Sequence, residues 1–194
     1  MIISHKHKFI FLKTHKTAGT SIEVDLLPHL GPNDVVTPLY PSEPNHKPQN
    51  FLQGNFAWYN HMPAKTILSF LGDKFYEYTT FCVEREPVDK TLSAYNWYCY
   101  NQGGTQPLTI DQFINTNELL PIDHKLYTHN NKLIIDKIIK YESLNELNDL
   151  FSFDFKLKTR AKGVFKFAGS MVDKQKEIVY NKFLESNKFT GYSL

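Results

Sequence analysis

The strongest constraint on the fold lies near the start of the chain. An apolar run, Phe9-Ile10-Phe11-Leu12, passes directly into Lys13-Thr14-His15-Lys16-Thr17-Ala18-Gly19-Thr20-Ser21. Ile22, Val24, Leu26 and Leu27 then follow at roughly helical spacing, until Pro28 and Gly31-Pro32 end the pattern. A short continuous apolar run suits a parallel strand buried on both faces, so the segment reads as strand, polar loop, helix. The free N–H groups at the helix start, the hydroxyls of Thr17, Thr20 and Ser21 and the charge of Lys16 together suit a phosphate group. This is not the nucleotide-triphosphatase loop, because GxxxxGK[ST] is absent: the loop has one glycine, Gly19, and the lysine precedes it.

The rest of the chain repeats the alternation. Pro63 suits the first turn of a helix with Ile67, Leu68 and Leu71 on its apolar face and Gly72 at its end. Tyr78 to Val83 reads as the next strand, with Arg85 at its C-terminal end, and Pro87 opens a helix carrying Leu92, Ala94, Tyr95 and Tyr98. Thr109 with Gln112, and Ser143 with Glu146, have capping-box spacing, and Asp173 is placed to cap a last helix. Leu133 to Tyr141 is open between strand and helix, its isoleucines favouring strand. Gly31 to Pro48 holds five prolines and little periodicity, which predicts a long loop facing substrate. Strands alternating with helices in 194 residues predict a single α/β domain, residues 1–194, with a mostly parallel central sheet.

Composition narrows the class. A net charge of +2 is too small to argue for nucleic-acid binding, and no apolar run is long enough to span a bilayer. Without a signal peptide's apolar region the expected location is cytoplasmic, with no membrane partner. Cys82 and Cys99 fall in apolar segments without metal-type spacing and read as buried free thiols, and His5 and His7 alternate without a carboxylate or thiolate, so no metal site is expected. The basic side chains are 20 lysines and two arginines, Arg85 and Arg160. Arginine's planar fork binds phosphate with two parallel hydrogen bonds, which singles out these two positions as anion contacts.

On these residues the chain resembles the sulfotransferases that use 3′-phosphoadenosine 5′-phosphosulfate (PAPS). Lys16-Thr17-Ala18-Gly19-Thr20-Ser21 is similar to that family's 5′-phosphosulfate loop. Phe81-Cys82-Val83-Glu84-Arg85-Glu86-Pro87 through Ser93 is similar to its 3′-phosphate signature, which implies that Arg85 and Ser93 hold that phosphate. His61-Met62-Pro63-Ala64 resembles the segment bearing the acceptor-activating histidine in the carbohydrate branch, and Phe189-Thr190-Gly191-Tyr192 resembles that branch's ending. The resemblance implies a three-layer, P-loop-like sulfotransferase fold. It also implies transfer of a sulfuryl group from PAPS to a hydroxyl, of a carbohydrate in this branch, leaving 3′-phosphoadenosine 5′-phosphate.

The expected roles follow. Lys16 neutralises the leaving phosphate and His61, among eight histidines, is the general base. Lys13, Lys16, Thr17, Ala18, Gly19, Thr20, Ser21, Arg85 and Ser93 contact the nucleotide, with Arg160 and Lys162 as a second clamp on the 3′-phosphate. The transfer is an in-line displacement that rests on positioning and charge, with no metal required. Four departures bear on affinity: Lys13 in place of the common histidine, Ala18 of glycine, Glu86 of asparagine or aspartate, and Lys90 of arginine. Glu84 and Glu86 weaken Arg85's hold on phosphate unless they turn away. A nucleotide kinase, disfavoured by the missing glycines, and a degenerate, non-catalytic nucleotide-binding module stay open beside this reading.

Overall fold

The computed structural model describes residues 1–161 and 166–194. In chain order the elements are β1 (Ile2–Ser4), β2 (Phe9–Leu12), α1 (Gly19–Leu26), β3 (Val35–Val36), β4 (Leu52–Gln53), β5 (Phe56–Ala57) and α2 (Ala64–Leu71). They continue with β6 (Thr79–Glu84), α3 (Pro87–Asn101), α4 (Ile110–Asn115), α5 (His124–Tyr127), β7 (Thr128–His129) and β8 (Lys132–Leu133). Last come β9 (Lys137–Lys140), α6 (Asp173–Lys182) and α7 (Leu184–Thr190). The central sheet has the order β3-β1-β2-β6-β9. β2, β6 and β9 pair in parallel, while β1 pairs antiparallel with both β2 and β3. Only β1 therefore runs against the common direction, and the sheet is mixed but mostly parallel.

Side-chain alternation in β2 explains why helices cover both faces. Ile10 and Leu12 join a core with Trp58, Met62, Ala64 and Ile67, the last two from α2. Phe9 and Phe11 point the other way, into a core with Ile22 and Leu26 of α1, Phe81, Val83 and Leu147. β2 is thus apolar on each side, and every one of its side chains is buried, each contributing about 1.5–3 kcal/mol. Phe11 stacks on Phe81 across the parallel pair, with ring centroids 5.2 Å apart. A third cluster, built from Leu92, Tyr95, Cys99, Phe113, Val179 and Phe183, packs α3 against α4 and α6. Cys82 and Cys99 are buried free thiols, as expected.

Several expectations are corrected. Gly31–Pro48 is not one loop: Val35 and Val36 pair with β1 as an edge strand, because two β-branched residues there find open ladder groups. The start of the chain is itself a strand, β1. Leu133–Tyr141 resolves into the end of one hairpin and the edge strand β9. Asp173 does not cap α6. It is the first helical residue and pairs with Lys176 at 2.8 Å, while the N–H of Val172 donates to Gln175 at 3.0 Å. Ser143 starts no α-helix; it interrupts a 3₁₀ stretch, Tyr141–Leu150, with φ −128°. The Thr109–Gln112 capping box forms as predicted. Among the described residues no helix is long and apolar enough to cross a membrane.

One buried carboxylate ties the strand hairpin to the chain after α1. Asp34, fully buried, accepts from Ser4 Oγ at 2.8 Å, Lys6 N at 3.0 Å and Gly31 N at 2.9 Å. Truncation leaves these donors without their acceptor, each costing on the order of 1 kcal/mol. Asp34→Ala is therefore expected to lower unfolding stability by about 3 kcal/mol, read as a drop of roughly 6–12 °C in Tm by calorimetry.

Candidate functional site

Leu12 lies opposite Cys82 in the parallel pair, so the loop after β2 and the loop after β6 leave the sheet side by side at its C-terminal edge. That is where open α/β sheets form clefts. A cleft of about 540 Å³ lies there, lined by Lys13 to Ser21 and by Asn60, His61, Arg85, Ser93, Trp97, Tyr141, Arg160 and Lys166, among others.

The loop is held from beneath. Thr14 donates its hydroxyl to the carbonyl of Val83 and lies 2.9 Å from the hydroxyl of Thr17, fastening the turn to β6. Lys13 is buried, and its ammonium donates to Glu23 Oε2 at 2.6 Å and Thr20 Oγ1 at 3.1 Å. Burial alone would raise the Glu23 carboxyl, but the Met1 amino group and Lys13 outweigh it and hold it well below the usual range. A Cβ at Gly19 would stand 2.7 Å from Lys13 Cγ, so any larger residue here forces the buried Lys13 stem to shift. Ala18, at φ 59° and ψ 17°, takes the left-handed conformation at some steric cost. α1 has no side-chain cap, and its first internal bond runs from Ile22 N to Ala18 O at 3.0 Å. The N–H groups of Gly19, Thr20 and Ser21 thus have no intrahelical acceptor and carry the positive end of the helix dipole into the cleft.

The opposite wall is built around Arg85. Its guanidinium stacks on Tyr141 at 4.3 Å, stands 3.8 Å from Asp89 Oδ2, and keeps a buried Nε without a hydrogen-bond partner among the described residues. The two neighbouring glutamates turn away. Glu84 points into the interior toward Lys90, and Glu86 caps α3 by accepting from Val88 N and Asp89 N at 2.9 and 2.7 Å and from Tyr180 at 2.7 Å. Asp25 of α1 accepts from Lys158 N, Thr159 N and the Thr159 hydroxyl, and Ser21 Oγ accepts from Ala161 N, which brings Arg160 to the rim. Asn96 likewise accepts from Phe167 N and Ala168 N and donates to Ala168 O, fixing the second rim segment. Lys16 extends over the ring of Trp97 at 4.7 Å.

Two imidazoles line the cleft beside the loop. His61, at φ 57°, directs Nδ1 to the carbonyl of Lys13 at 2.8 Å, which makes that nitrogen the N–H donor and leaves the lone pair on Nε2. Its ring lies parallel to that of His15, with centroids 3.8 Å apart. Burial, with His15 and Lys13 close by, pushes His61 down to about 3, so it is neutral across the working range. His15 pairs with Asp123: Nδ1 lies 2.6 Å from Oδ1, and its backbone N–H donates to Oδ2 at 2.7 Å. Burial would raise Asp123, but Lys90, 2.8 Å away, and His15 hold it well below the carboxylate range.

All predicted site residues among those described line this one cleft; Lys162 lies outside the described residues. Two assignments change. The Lys13 ammonium is committed to Glu23 and Thr20 and acts as a prop under the loop, and the Thr17 hydroxyl faces Thr14. Asp25, Asn96, Asp123, His15 and Tyr141 were not singled out from sequence; they carry no motif and act through distant partners. The chain matches no family model, no curated protein and no solved structure.

Two predictions follow from the loop and the His61 environment. Ala18→Gly relieves the left-handed strain and is expected to raise stability by about 0.5–1 kcal/mol in denaturant titration. His61 is held neutral in the fold, below its ordinary value near 6.5. Its contribution is therefore full above pH 6.5 and is lost as pH falls toward 3. His61→Asn is expected to flatten the decline of the unfolding midpoint between pH 6.5 and 4.

Proposed function

We propose that the chain is a PAPS-dependent sulfotransferase with a P-loop-like fold, transferring a sulfuryl group to a hydroxyl of a carbohydrate. The observation that carries this reading is the convergence of both recognised motifs, 70 positions apart in sequence, on one cationic cleft: the helix start at Gly19–Ser21 on one wall and Arg85 with Ser93 on the other. The buried Nε of Arg85, without a partner among the described residues, and the N–H groups at the start of α1 on the opposite wall suit a ligand with phosphate groups at two points. PAPS supplies a sulfuryl group on a good phosphate leaving group.

In this reading the N–H groups of Gly19, Thr20 and Ser21 hold the 5′-phosphate oxygens, and Lys16 offsets the negative charge that grows on the leaving oxygen. Arg85, Ser93 and Arg160 hold the 3′-phosphate. Glu86, serving as helix cap, and Glu84, paired with Lys90, do not compete for Arg85; the exposed Asp89, 3.8 Å away, is the carboxylate that a 3′-phosphate would have to outcompete. The acceptor hydroxyl enters from the His61 side, and its proton passes to the stacked imidazole pair, where His61 is the residue that the resemblance assigns as base.

Calorimetric titration with 3′-phosphoadenosine 5′-phosphate, in parallel with Mg-ATP, tests the assignment without an acceptor. The expected result is micromolar or tighter binding of the bisphosphate that weakens at least tenfold in Arg85→Ala. Preference for Mg-ATP would favour a kinase and refute the reading. His61→Ala is expected to lower transfer at least tenfold with bisphosphate affinity nearly unchanged; full activity would remove His61 from the mechanism.

A further inference from the structure

We propose that, of the two stacked rings, His15 oriented by Asp123 is the catalytic base that takes the acceptor's proton, and that His61 is its positioning partner. This rests on the sulfotransferase reading and assigns a role that no motif carries.

The geometry distinguishes the rings by what lies behind them. His61 Nδ1–H donates to a neutral backbone carbonyl, Lys13 O. His15 Nδ1 faces a carboxylate at 2.6 Å, the arrangement that fixes a catalytic imidazole's tautomer, leaves Nε2 as acceptor and stabilises the imidazolium once the proton arrives. Asp123 is itself fixed. Lys90, fully buried, donates to Asp123 Oδ2 at 2.8 Å and to Glu84 Oε2 at 2.6 Å, and the His15 backbone N–H donates to the same carboxylate. A carboxylate buried this deeply is stable as an anion only with such partners. His15 is accessible from the cleft, its side chain 46% exposed, whereas Asp123 is 4% exposed.

The groups that face His15 are Asp123 ahead of α5, His61 ahead of α2, and Lys13 and Lys16 on its own loop, with Lys90 of α3 and Glu84 of β6 behind Asp123. Asp123 is hydrogen-bonded directly to His15, while at His61 its charge acts without such a bond and is outweighed by burial and the nearby cations. The step balances simply. The acceptor oxygen forms its bond to sulfur as the sulfur–oxygen bond to the phosphate breaks, the electron pair leaves on the phosphate oxygen, and the hydroxyl proton moves to His15 Nε2.

The test uses His15→Asn, which keeps an N–H for Asp123 but lacks Nε2, with His61→Asn and Asp123→Asn. Bisphosphate calorimetry is run on every variant. Transfer of ³⁵S from PAPS to a neutral oligosaccharide mixture is then measured, and imidazole nitrogens are followed by ¹H–¹⁵N NMR without nucleotide. The expected results are a loss of at least a hundredfold in His15→Asn and a smaller loss in His61→Asn, with bisphosphate affinity retained in both. The acidic limb of kcat/KM moves to lower pH in Asp123→Asn, and His15 carries its proton on Nδ1 when neutral. A merely structural role for Asp123 would lower the profile without moving its limb. Near-normal transfer by His15→Asn, or the Nε2–H tautomer at His15, overturns the assignment while leaving the sulfotransferase reading intact. Failure of the unaltered protein to bind bisphosphate, or to transfer sulfate, overturns both.

Discussion

A single buried ammonium organises the functional edge of this molecule. Lys90 projects from α3 into the interior between Glu84, at the end of β6, and Asp123, just before α5. Burial alone would lower its proton affinity, but the two carboxylates overcome that and hold it raised. The end of β6, the start of α3 and the segment before α5 are thereby pinned to one charge, and Asp123 carries the link onward, across 108 positions of sequence, to the loop after β2. Removing one member of such a buried set leaves the others uncompensated, which is far more costly than the pair is stabilising. The arrangement acts through geometry: it fixes where α3 starts relative to the loop, and so fixes the separation of Arg85 from the start of α1.

A second buried charge does the same from the other side. The Lys13–Glu23 pair lies under the loop, and Gly19 passes so closely over the aliphatic stem of Lys13 that any side chain there would force it to shift. Lys13, Glu86, Lys90 and Ala18 each have a local structural role or cost. Lys13 and Lys90 are internal props, and Glu86 serves as a helix cap whose carboxylate is used up by backbone N–H groups. Ala18 alone pays in backbone strain. The cleft keeps cationic side chains at its walls while Glu84 and Glu86 are engaged elsewhere, and Asp89 stands 3.8 Å from Arg85.

Much of this was legible from short-range pattern. The unbroken apolar run of β2, the Pro87 helix start and the Thr109–Gln112 box are local signals, and each appears where its chemistry places it. Two-residue strands such as β3 have no period to read, and they exist because β1 offers open ladder groups. The Ser143 and Asp173 caps failed for a related reason: the spacing was right, but neighbouring contacts decided where the helix began. That the Lys16–Ser21 loop and Arg85 lie at the C-terminal ends of neighbouring strands was legible because each directly follows a short apolar strand. Asp123, Asp25 and Asn96 were not, because each acts across more than 70 positions of sequence on backbone or side chains that no motif names.

The central claim is that one cleft grips a nucleotide at two phosphate groups. A crystal structure of the protein soaked with 3′-phosphoadenosine 5′-phosphate tests it directly. The account predicts the 5′-phosphate on the N–H groups of Gly19, Thr20 and Ser21, and the 3′-phosphate on Arg85 and Ser93. A nucleotide bound outside the cleft, or bound in it with neither phosphate on those groups, would contradict the account.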